Sequence, residues 1–150
     1  MSEVSVKIVK LHEDVTIPEK SSHEAACYDL RACLSQTIIL EPMQRIAVPT
    51  GIKVEIPKGY LISVRPRSGL AIKEGITLIN SPGTIDSDFR GEIKVLLINL
   101  GDQPVQIKNN DRIAQMILEK TISISWVEEK EQFLSETQRG AGGFGSTGIN

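Results

Sequence analysis

Several residue types are scarce in this 150-residue sequence, and each scarcity narrows the range of structures and functions. Aromatic residues make up only 4% of the chain, so a hydrophobic core must be built from Val, Ile and Leu. Two cysteines, Cys27 and Cys33, are too few for a disulfide framework and suit a reducing cytoplasm. The net charge of −2 argues against nucleic acid as a partner, because duplex binding needs a broad basic surface.

Long apolar runs and targeting signals are also missing. No run approaches the ~20 residues that a membrane-spanning helix needs, and residues 1–7 lack the pattern of a signal peptide. We therefore expect a cytoplasmic protein that binds neither membrane nor nucleic acid. With 40% hydrophobic residues, the chain fits a single domain spanning residues 1–150 with a core of its own.

Apolar and polar residues alternate with a period of two in many places, which is typical of strands with one buried face. This alternation occurs at residues 4–9, 52–56, 105–107 and 122–124. Residues 93–100 and 113–118 are more uniformly apolar, which favours strands covered on both faces. Helix is scarce, and the best candidate is one short turn after Ser68. The pattern predicts an all-β sandwich, jelly roll or small barrel.

The C-terminal residues differ in composition from the rest. Residues 139–148 hold five of the chain's 12 glycines, a density that disfavours a stable element because glycine loses the most entropy on ordering. We predict a β core to about residue 137 and a mobile arm over 138–150 that closes over an active site. Arg139 and Phe144 suit a lid over a nucleoside triphosphate, since a guanidinium binds phosphate and a ring stacks on a base. The alternative is a disordered linker.

Two internal segments carry residue types suited to phosphate chemistry. In Pro66-Arg67-Ser68-Gly69, the start of a short helix and a forked guanidinium both favour phosphate; alternatively, Ser68 caps the helix and Arg67 is a solvated charge. Residues 83–91 should form a hairpin arm. There the Asp86 carboxylate can take a proton from a water that attacks phosphorus, and the Phe89 ring can pack on a sugar. The alternative is a turn in which aspartate is a local cap.

The remaining polar candidates are isolated in the sequence. Asp29 can serve Mg²⁺ through water, because this ion keeps most of its hydration shell; the alternative is a salt bridge to Arg31 or another arginine. Gln115 can donate to phosphate or pair with backbone. His12 and His23 lack metal-ligand spacing, so we expect surface residues, and without a neighbouring histidine neither cysteine is expected to be a catalytic thiol.

Five segments resemble, in order, the motifs of the trimeric dUTPase family: residues 25–31, 66–71, 83–91, 112–118 and 139–148. The resemblance covers essentially the whole chain. It implies a jelly roll with one short helix, a homotrimer whose subunits share three active sites, and Mg²⁺-assisted hydrolysis of dUTP to dUMP and pyrophosphate. That reaction lowers dUTP and supplies dUMP for dTMP synthesis. One departure is Phe89, where the family usually has Tyr.

The resemblance also implies roles for individual residues. Asp86 orients and activates the water that attacks the α-phosphorus. The residues that contact the phosphates are Arg67, Ser68, Gly69 and Gln115. Those that line the uracil and deoxyribose pocket are Asn80, Thr84, Ile85, Asp86 and Phe89, with Lys94 approaching by its backbone. The closing arm supplies Arg139, Phe144, Gly145 and Ser146. Asp29 would contact Mg²⁺ through water, while the triphosphate oxygens hold the ion.

Two other functions are compatible with an all-β trimer. A dCTP deaminase-like enzyme shares the fold, but its third motif carries a glutamate and lacks the pattern of residues 83–91. A non-catalytic jelly-roll module explains the strands and leaves Arg139, Phe144 and the glycines of the arm without a purpose. Ammonia release from dCTP would identify the deaminase.

Overall fold

The computed structural model describes residues 3–145, which form eleven β-strands and one α-helix. The strands are β1 (Lys7–Lys10), β2 (Tyr28–Arg31), β3 (Ile38–Leu40), β4 (Arg45–Pro49), β5 (Ile52–Glu55), β6 (Tyr60–Arg65), β7 (Ile76–Leu78), β8 (Gly83–Ile85), β9 (Lys94–Asn99), β10 (Val105–Ile107) and β11 (Arg112–Lys120). Helix α1 (Ser68–Glu74) lies between β6 and β7, at the position predicted for the short helical turn.

All strand pairs are antiparallel, and most join elements that are distant in sequence. The largest sheet has the order β2-β11-β6-β8, and a second has the order β4-β9-β7. Two-stranded sheets, β1-β5 and β10-β3, complete the arrangement. Because crossovers between sheets replace simple hairpins, the topology is that of a β jelly roll, and the predicted fold class is confirmed.

One hydrophobic core joins the two larger sheets. Leu30 and Ala114 from the four-stranded sheet and Val48 and Leu97 from the three-stranded sheet are each at most 1% exposed. Every buried hydrophobic residue in the described part of the chain is aliphatic. The core is therefore built from the residue types that the low aromatic content predicted.

A single buried amide links three segments at one end of the core. Asn99 is 0% exposed, and its Nδ2 donates to the carbonyl oxygens of Leu40, at 2.9 Å, and Gln103, at 2.8 Å. Its Oδ1 accepts from the Gly101 backbone N–H at 2.8 Å. Since unpaired buried polar groups are costly, these three bonds make Asn99 a structural residue.

Two predictions about strands are wrong. Residues 122–124 form no strand, because β11 ends at Lys120 and no other strand of residues 3–145 lies beside them. Residues 93–100 are not covered on both faces: β9 alternates between buried and more exposed positions, with Leu96 36% exposed. Both errors concern apolar side chains that the single chain leaves in contact with solvent.

Candidate active site

A cavity of about 350 Å³ opens between β8 with its following turn and the start of β9. It gathers the residues predicted to form the nucleoside pocket: Asn80, Thr84, Ile85, Asp86, Phe89 and Lys94. The cavity is also lined by buried apolar side chains, Val64, Leu78, Ile93 and Val95. An apolar pocket with a few polar groups at its edge is the usual form of a small-molecule site.

The turn after β8 holds Asp86 and Phe89 in a defined arrangement. The Phe89 backbone N–H donates to the Asp86 carbonyl oxygen at 3.1 Å. The Arg90 guanidinium donates to the carbonyl oxygens of Ser87, at 2.8 Å, and Phe89, at 3.0 Å. Asp86 is exposed and takes part in none of the ion pairs within residues 3–145. Its carboxylate is therefore available to a ligand or a water.

A second polar cluster forms around Asp29, whose side chain is only 12% exposed. Its Oδ1 lies 3.7 Å from Arg67 Nε, and its Oδ2 lies 3.3 Å from Arg112 Nη1. The Ser21 hydroxyl donates to the same Oδ2 at 2.8 Å. The structure thus realises the salt-bridge alternative for Asp29, with Arg67 and Arg112 as partners. Arg31 instead donates to the Asn110 carbonyl oxygen.

The segment before α1 joins the same cluster. Arg67 Nη1 donates to the Arg112 carbonyl oxygen at 2.9 Å, and Gln115 Nε2 donates to the Pro66 carbonyl oxygen at 3.3 Å. The residue at the N-cap of α1 is Arg67, and no side chain makes a capping hydrogen bond. Ser68 therefore does not cap the helix, and the space beside Gly69 is open.

Within one chain, Asp86 and Ser68 lie toward opposite ends of β6. Strand β8 pairs with β6 so that Ile85 faces Ile62 and Gly83 faces Val64. Asp86 therefore follows the end of β8 that lies near the start of β6, whereas Ser68 follows the end of β6. A six-residue strand is about 17 Å long. One chain consequently does not bring Asp86 and Ser68 to the same phosphorus atom.

Residues 138–145, the described part of the C-terminal arm, do not line the cavity. Arg139 Nε donates to the Gly142 carbonyl oxygen at 2.7 Å, and the Gly140 N–H donates to Thr137 Oγ1 at 3.1 Å, so this part folds on itself. The Phe144 ring is fully exposed. Gly145 is also exposed and has a φ of 79°, a conformation that favours glycine. Ser146 lies outside the described residues.

The donor groups of the described residues do not form a metal site by themselves. No group of three or more His, Cys, Asp or Glu side chains is arranged to hold an ion in this part of the chain. The Asp29 carboxylate is already held by two guanidinium groups and a hydroxyl. This donor set fits Mg²⁺ that arrives on a triphosphate and meets the protein through water, because Mg²⁺ takes few protein ligands.

The structure also bears on the residues expected to have no catalytic role. His12 and His23 are exposed, as predicted. Burial raises the pKa of the Cys33 thiol, and the nearby carboxylates of Asp14 and Glu92 raise it further. A nucleophilic thiol needs a lowered pKa, so Cys33 is unsuited to catalysis. No helix in residues 3–145 has the length and apolar character needed to span a membrane.

Sequence reasoning gave no role to Arg112, Arg90 or Gly91. Arg112 contacts Asp29 only because β11 pairs with β2, and that pairing has no local signal in the sequence. Arg90 and Gly91 follow Phe89 directly, but their contacts depend on the geometry of the turn. All three act on a predicted site residue and not on the cavity itself.

Comparisons with known proteins agree with one another. The family model that matches is described as dUTPase and covers residues 13–148. A deoxyuridine 5'-triphosphate nucleotidohydrolase of Treponema denticola is 54% identical over 93% of this chain and 96% of its own length. One of Chlamydia pneumoniae is 55% identical over 89% and 92%, respectively.

Solved structures of phage enzymes show the same fold at lower identity. A mutant Staphylococcus bacteriophage 80alpha dUTPase with dUpNHpp superposes with a TM-score of 0.84 and 23% identity, covering 97% of this chain and 99% of the phage chain. A mutant dUTPase from phage phi11 of S. aureus, described with a structural Mg(II) ion, has a TM-score of 0.74 and 22% identity, covering 87% and 99%.

Proposed function

The chain belongs to the dUTPase family, and from that premise we propose that it hydrolyses dUTP to dUMP and pyrophosphate with Mg²⁺, in sites shared by three subunits. The observation that carries the proposal is the cavity in which the Asp86 carboxylate lies beside Phe89, Asn80 and Thr84. In the dUTPase relatives and in the phage structures, the named substrate or bound analogue is a deoxyuridine nucleotide.

Asp86 performs the proton transfer in the proposed reaction. Its carboxylate accepts a proton from a water, whose oxygen forms a bond to the α-phosphorus of dUTP. The bond from that phosphorus to the α–β bridging oxygen breaks, and pyrophosphate leaves with the electron pair. Phosphoryl chemistry depends mainly on positioning and on neutralising charge, and the turn bonds around Asp86 support such positioning.

The Asp29 cluster receives the phosphates. Arg67, Ser68 and Gly69 surround the phosphate chain, and Gln115 donates to it. Asp29 orients the guanidinium groups of Arg67 and Arg112 by pairing with both. Bound Mg²⁺ would neutralise charge on the triphosphate oxygens, with Asp29 accepting a hydrogen bond from one of its waters.

The C-terminal arm closes the site. We propose a single domain over residues 1–150 in which 138–150 cover the bound nucleotide. Arg139 binds the γ-phosphate, Phe144 stacks on uracil, and Gly145 and Ser146 complete the lid. The exposed Phe144 ring supports this role, because an aromatic ring in solvent gains apolar contact only when a partner covers it. Closure excludes bulk water from the triphosphate.

Two observations support a homotrimer with shared sites. Asp86 and Ser68 of one chain lie at opposite ends of β6, so a site that uses both requires a second chain. The segment after β11 also exposes Ile122, Ile124 and Trp126, whose side chains are 91%, 67% and 86% accessible. Apolar surface of this kind usually marks a protein interface.

Replacing Asp86 tests the proposed chemistry. Asp86→Asn should lower kcat for dUTP by about 10²–10⁴, the usual value of a positioned general base, without changing the free energy of unfolding. Asp88→Asn is the matched control, because Asp88 is exposed in the same turn. Turnover is measured as pyrophosphate release from dUTP, dTTP, dCTP and UTP, with and without Mg²⁺.

Three results would contradict the proposal. A near wild-type kcat in Asp86→Asn would make Asp86 a turn residue only. Orthophosphate as the first product would mean that the γ-phosphorus is attacked. Ammonia released from dCTP would identify a deaminase of the same fold.

A further inference from the structure

The Phe89 ring lies so close to Gly91 that no side chain fits between them. A Cβ atom on Gly91 would lie 2.6 Å from Phe89 Cζ, 3.0 Å from Cε2 and 3.3 Å from Cε1. Carbon atoms in contact are normally about 3.5–4.0 Å apart. The tip of the ring therefore occupies the volume that any other residue at position 91 would fill.

The glycine at position 91 is explained by this contact and not by backbone conformation. Gly91 is absent from the glycines of residues 3–145 that have a positive φ, unlike Gly51 and Gly75. Its backbone therefore accepts alanine. The three atoms nearest to the added methyl all belong to Phe89, so the cost of that methyl falls on the ring.

The ring that meets Gly91 also lines the cavity. Phe89 lines the cavity, whereas Gly91 does not. The backbone around the ring is tied down, because Phe89 donates to Asp86 and accepts from the Arg90 guanidinium. An added methyl at position 91 would consequently displace the ring, and not the turn, by roughly 1 Å to restore normal contact. Because the ring lines the cavity, its displacement changes the space available there.

We propose that Gly91 is a positioning residue for substrate specificity: its missing side chain sets how far the Phe89 ring withdraws from the cavity, and thereby the room left for the sugar. This inference rests on the proposed function, in which Phe89 packs against deoxyribose. Gly91 does not touch the nucleotide and acts only through the ring.

The inference predicts a particular kinetic pattern for Gly91→Ala. With less room for the sugar, KM for dUTP should rise about tenfold, a typical cost of overpacking, while kcat changes less than about twofold. The dissociation constant of a non-hydrolysable imido analogue of dUTP, measured by calorimetry, should rise by the same factor. UTP turnover should not increase. Asp88→Ala, in the same turn, should match the wild-type enzyme.

Phe89→Ala should have the opposite effect on specificity and serves as the second arm of the test. Removing the ring opens the pocket, so UTP turnover rises relative to dUTP turnover. In the Phe89→Ala background, Gly91→Ala should change KM less than about twofold, because no ring remains to be displaced. If Gly91→Ala does not fold, Gly91→Ala combined with Phe89→Leu should fold and restore a KM within about threefold of the wild-type value.

The results separate this inference from the proposed function. Wild-type protein that leaves dUTP intact would refute the proposed function itself. If the wild-type protein hydrolyses dUTP but Gly91→Ala leaves KM unchanged, the inference about Gly91 is overturned and the proposed function stands. An equal rise in KM with and without the Phe89 ring would also overturn it, since Gly91 would then act through the backbone. The same holds if the Phe89→Leu combination fails to restore KM.

Discussion

Apolar side chains differ in burial between two regions of the chain. Many are buried in the strand region, residues 7–120, whereas the large ones are exposed in the segment that follows it, residues 121–145. In the first region, aliphatic residues such as Ile93 and Leu97 are completely buried. In the second, Trp126 is 86% exposed and no strand pairs with the chain among the described residues. The first region is stabilised by its own contacts, while the second presents apolar side chains that residues 3–145 leave exposed.

This difference shows where the molecule depends on something outside itself. Burial of apolar area drives folding, so large exposed apolar side chains in an extended segment indicate a surface that another molecule covers. The segment also changes along its length. Residues 122–134 are rich in exposed apolar side chains, whereas residues 139–145 are rich in glycine and carry one arginine and one ring. The composition of residues 122–134 suits contact with another copy of the chain, and that of residues 139–145 suits contact with a nucleotide.

The largest expected effect on assembly and activity comes from placing a charge among the exposed apolar side chains of residues 122–134. Ile124→Asp should dissociate the proposed trimer, because an aspartate buried at a subunit interface would have no partner for its charge. Burial of a side chain of this size contributes about 1.5–3 kcal/mol per subunit. Turnover of dUTP should fall with the trimer if its sites are shared. Mass by light scattering and pyrophosphate release measure the two effects.

The neighbouring position provides the control for this charge. Ser125 is already polar and exposed, so Ser125→Asp adds the same charge without replacing an apolar side chain and should stay trimeric and active. A trimer that survives Ile124→Asp would show that this segment lies outside the subunit interface. A monomeric mass for active wild-type protein would refute the trimer altogether.

Removal of the second part should affect activity and leave stability unchanged. Truncation after Gln138 deletes the arm, and the side chains of its described residues, 139–145, contribute nothing to the buried core. The trimer and its Tm should persist, while kcat/KM for dUTP falls by about 10²–10³ because closure and the Arg139 contact are lost. If the truncated protein instead unfolds at a much lower temperature, the arm is part of the fold.

The same comparison explains which features the sequence predicted. Local patterns predicted β1, β5, β9, β10, β11 and helix α1 near their observed positions, whereas β2, β3 and β4 were not predicted. The segment 83–91 itself indicated Asp86 and Phe89, and the family resemblance implied the other cavity residues, Asn80, Thr84, Ile85 and Lys94. The alternation at residues 122–124 has the same local pattern, but a strand also requires a partner, and local sequence does not specify one. The contact of Arg112 with Asp29 was missed for a related reason, since it depends on long-range pairing.

Replacing Asn99, the buried amide in the strand region, should lower the stability of the protein and leave its catalysis unchanged. Asn99→Ala removes three buried or part-buried hydrogen bonds, two donated to the carbonyl groups of Leu40 and Gln103 and one accepted from Gly101. The free energy of unfolding should fall by about 1–3 kcal/mol, with kcat unchanged below the melting transition. Asn109→Ala is the control: its Oδ1 accepts one exposed hydrogen bond, and its loss should cost less. If both substitutions lower the free energy of unfolding by the same amount, the three Asn99 hydrogen bonds stabilise the fold no more than the single exposed one of Asn109.

The smallest expected effect concerns an exposed ion pair that joins β1 to β5 and depends on pH. Lys7 Nζ lies 2.9 Å from Glu55 Oε1, and this hydrogen bond, with the charge of Lys7, lowers the pKa of Glu55. A carboxyl group whose pKa is lower in the folded state contributes stability above its unfolded pKa of about 4.3. That contribution is lost as pH falls through the folded pKa.

Lys7→Met should therefore lower Tm at pH 7 by at most about 2 °C, because exposed pairs contribute little. The difference from the wild type should vanish below the folded pKa of Glu55, where this carboxyl group is protonated in both proteins. Lys58→Met is the control, since Lys58 forms no ion pair within residues 3–145 and should show no such pH dependence. A Tm difference that persists unchanged at low pH would assign the effect of Lys7 to its packing on β5 and not to its charge.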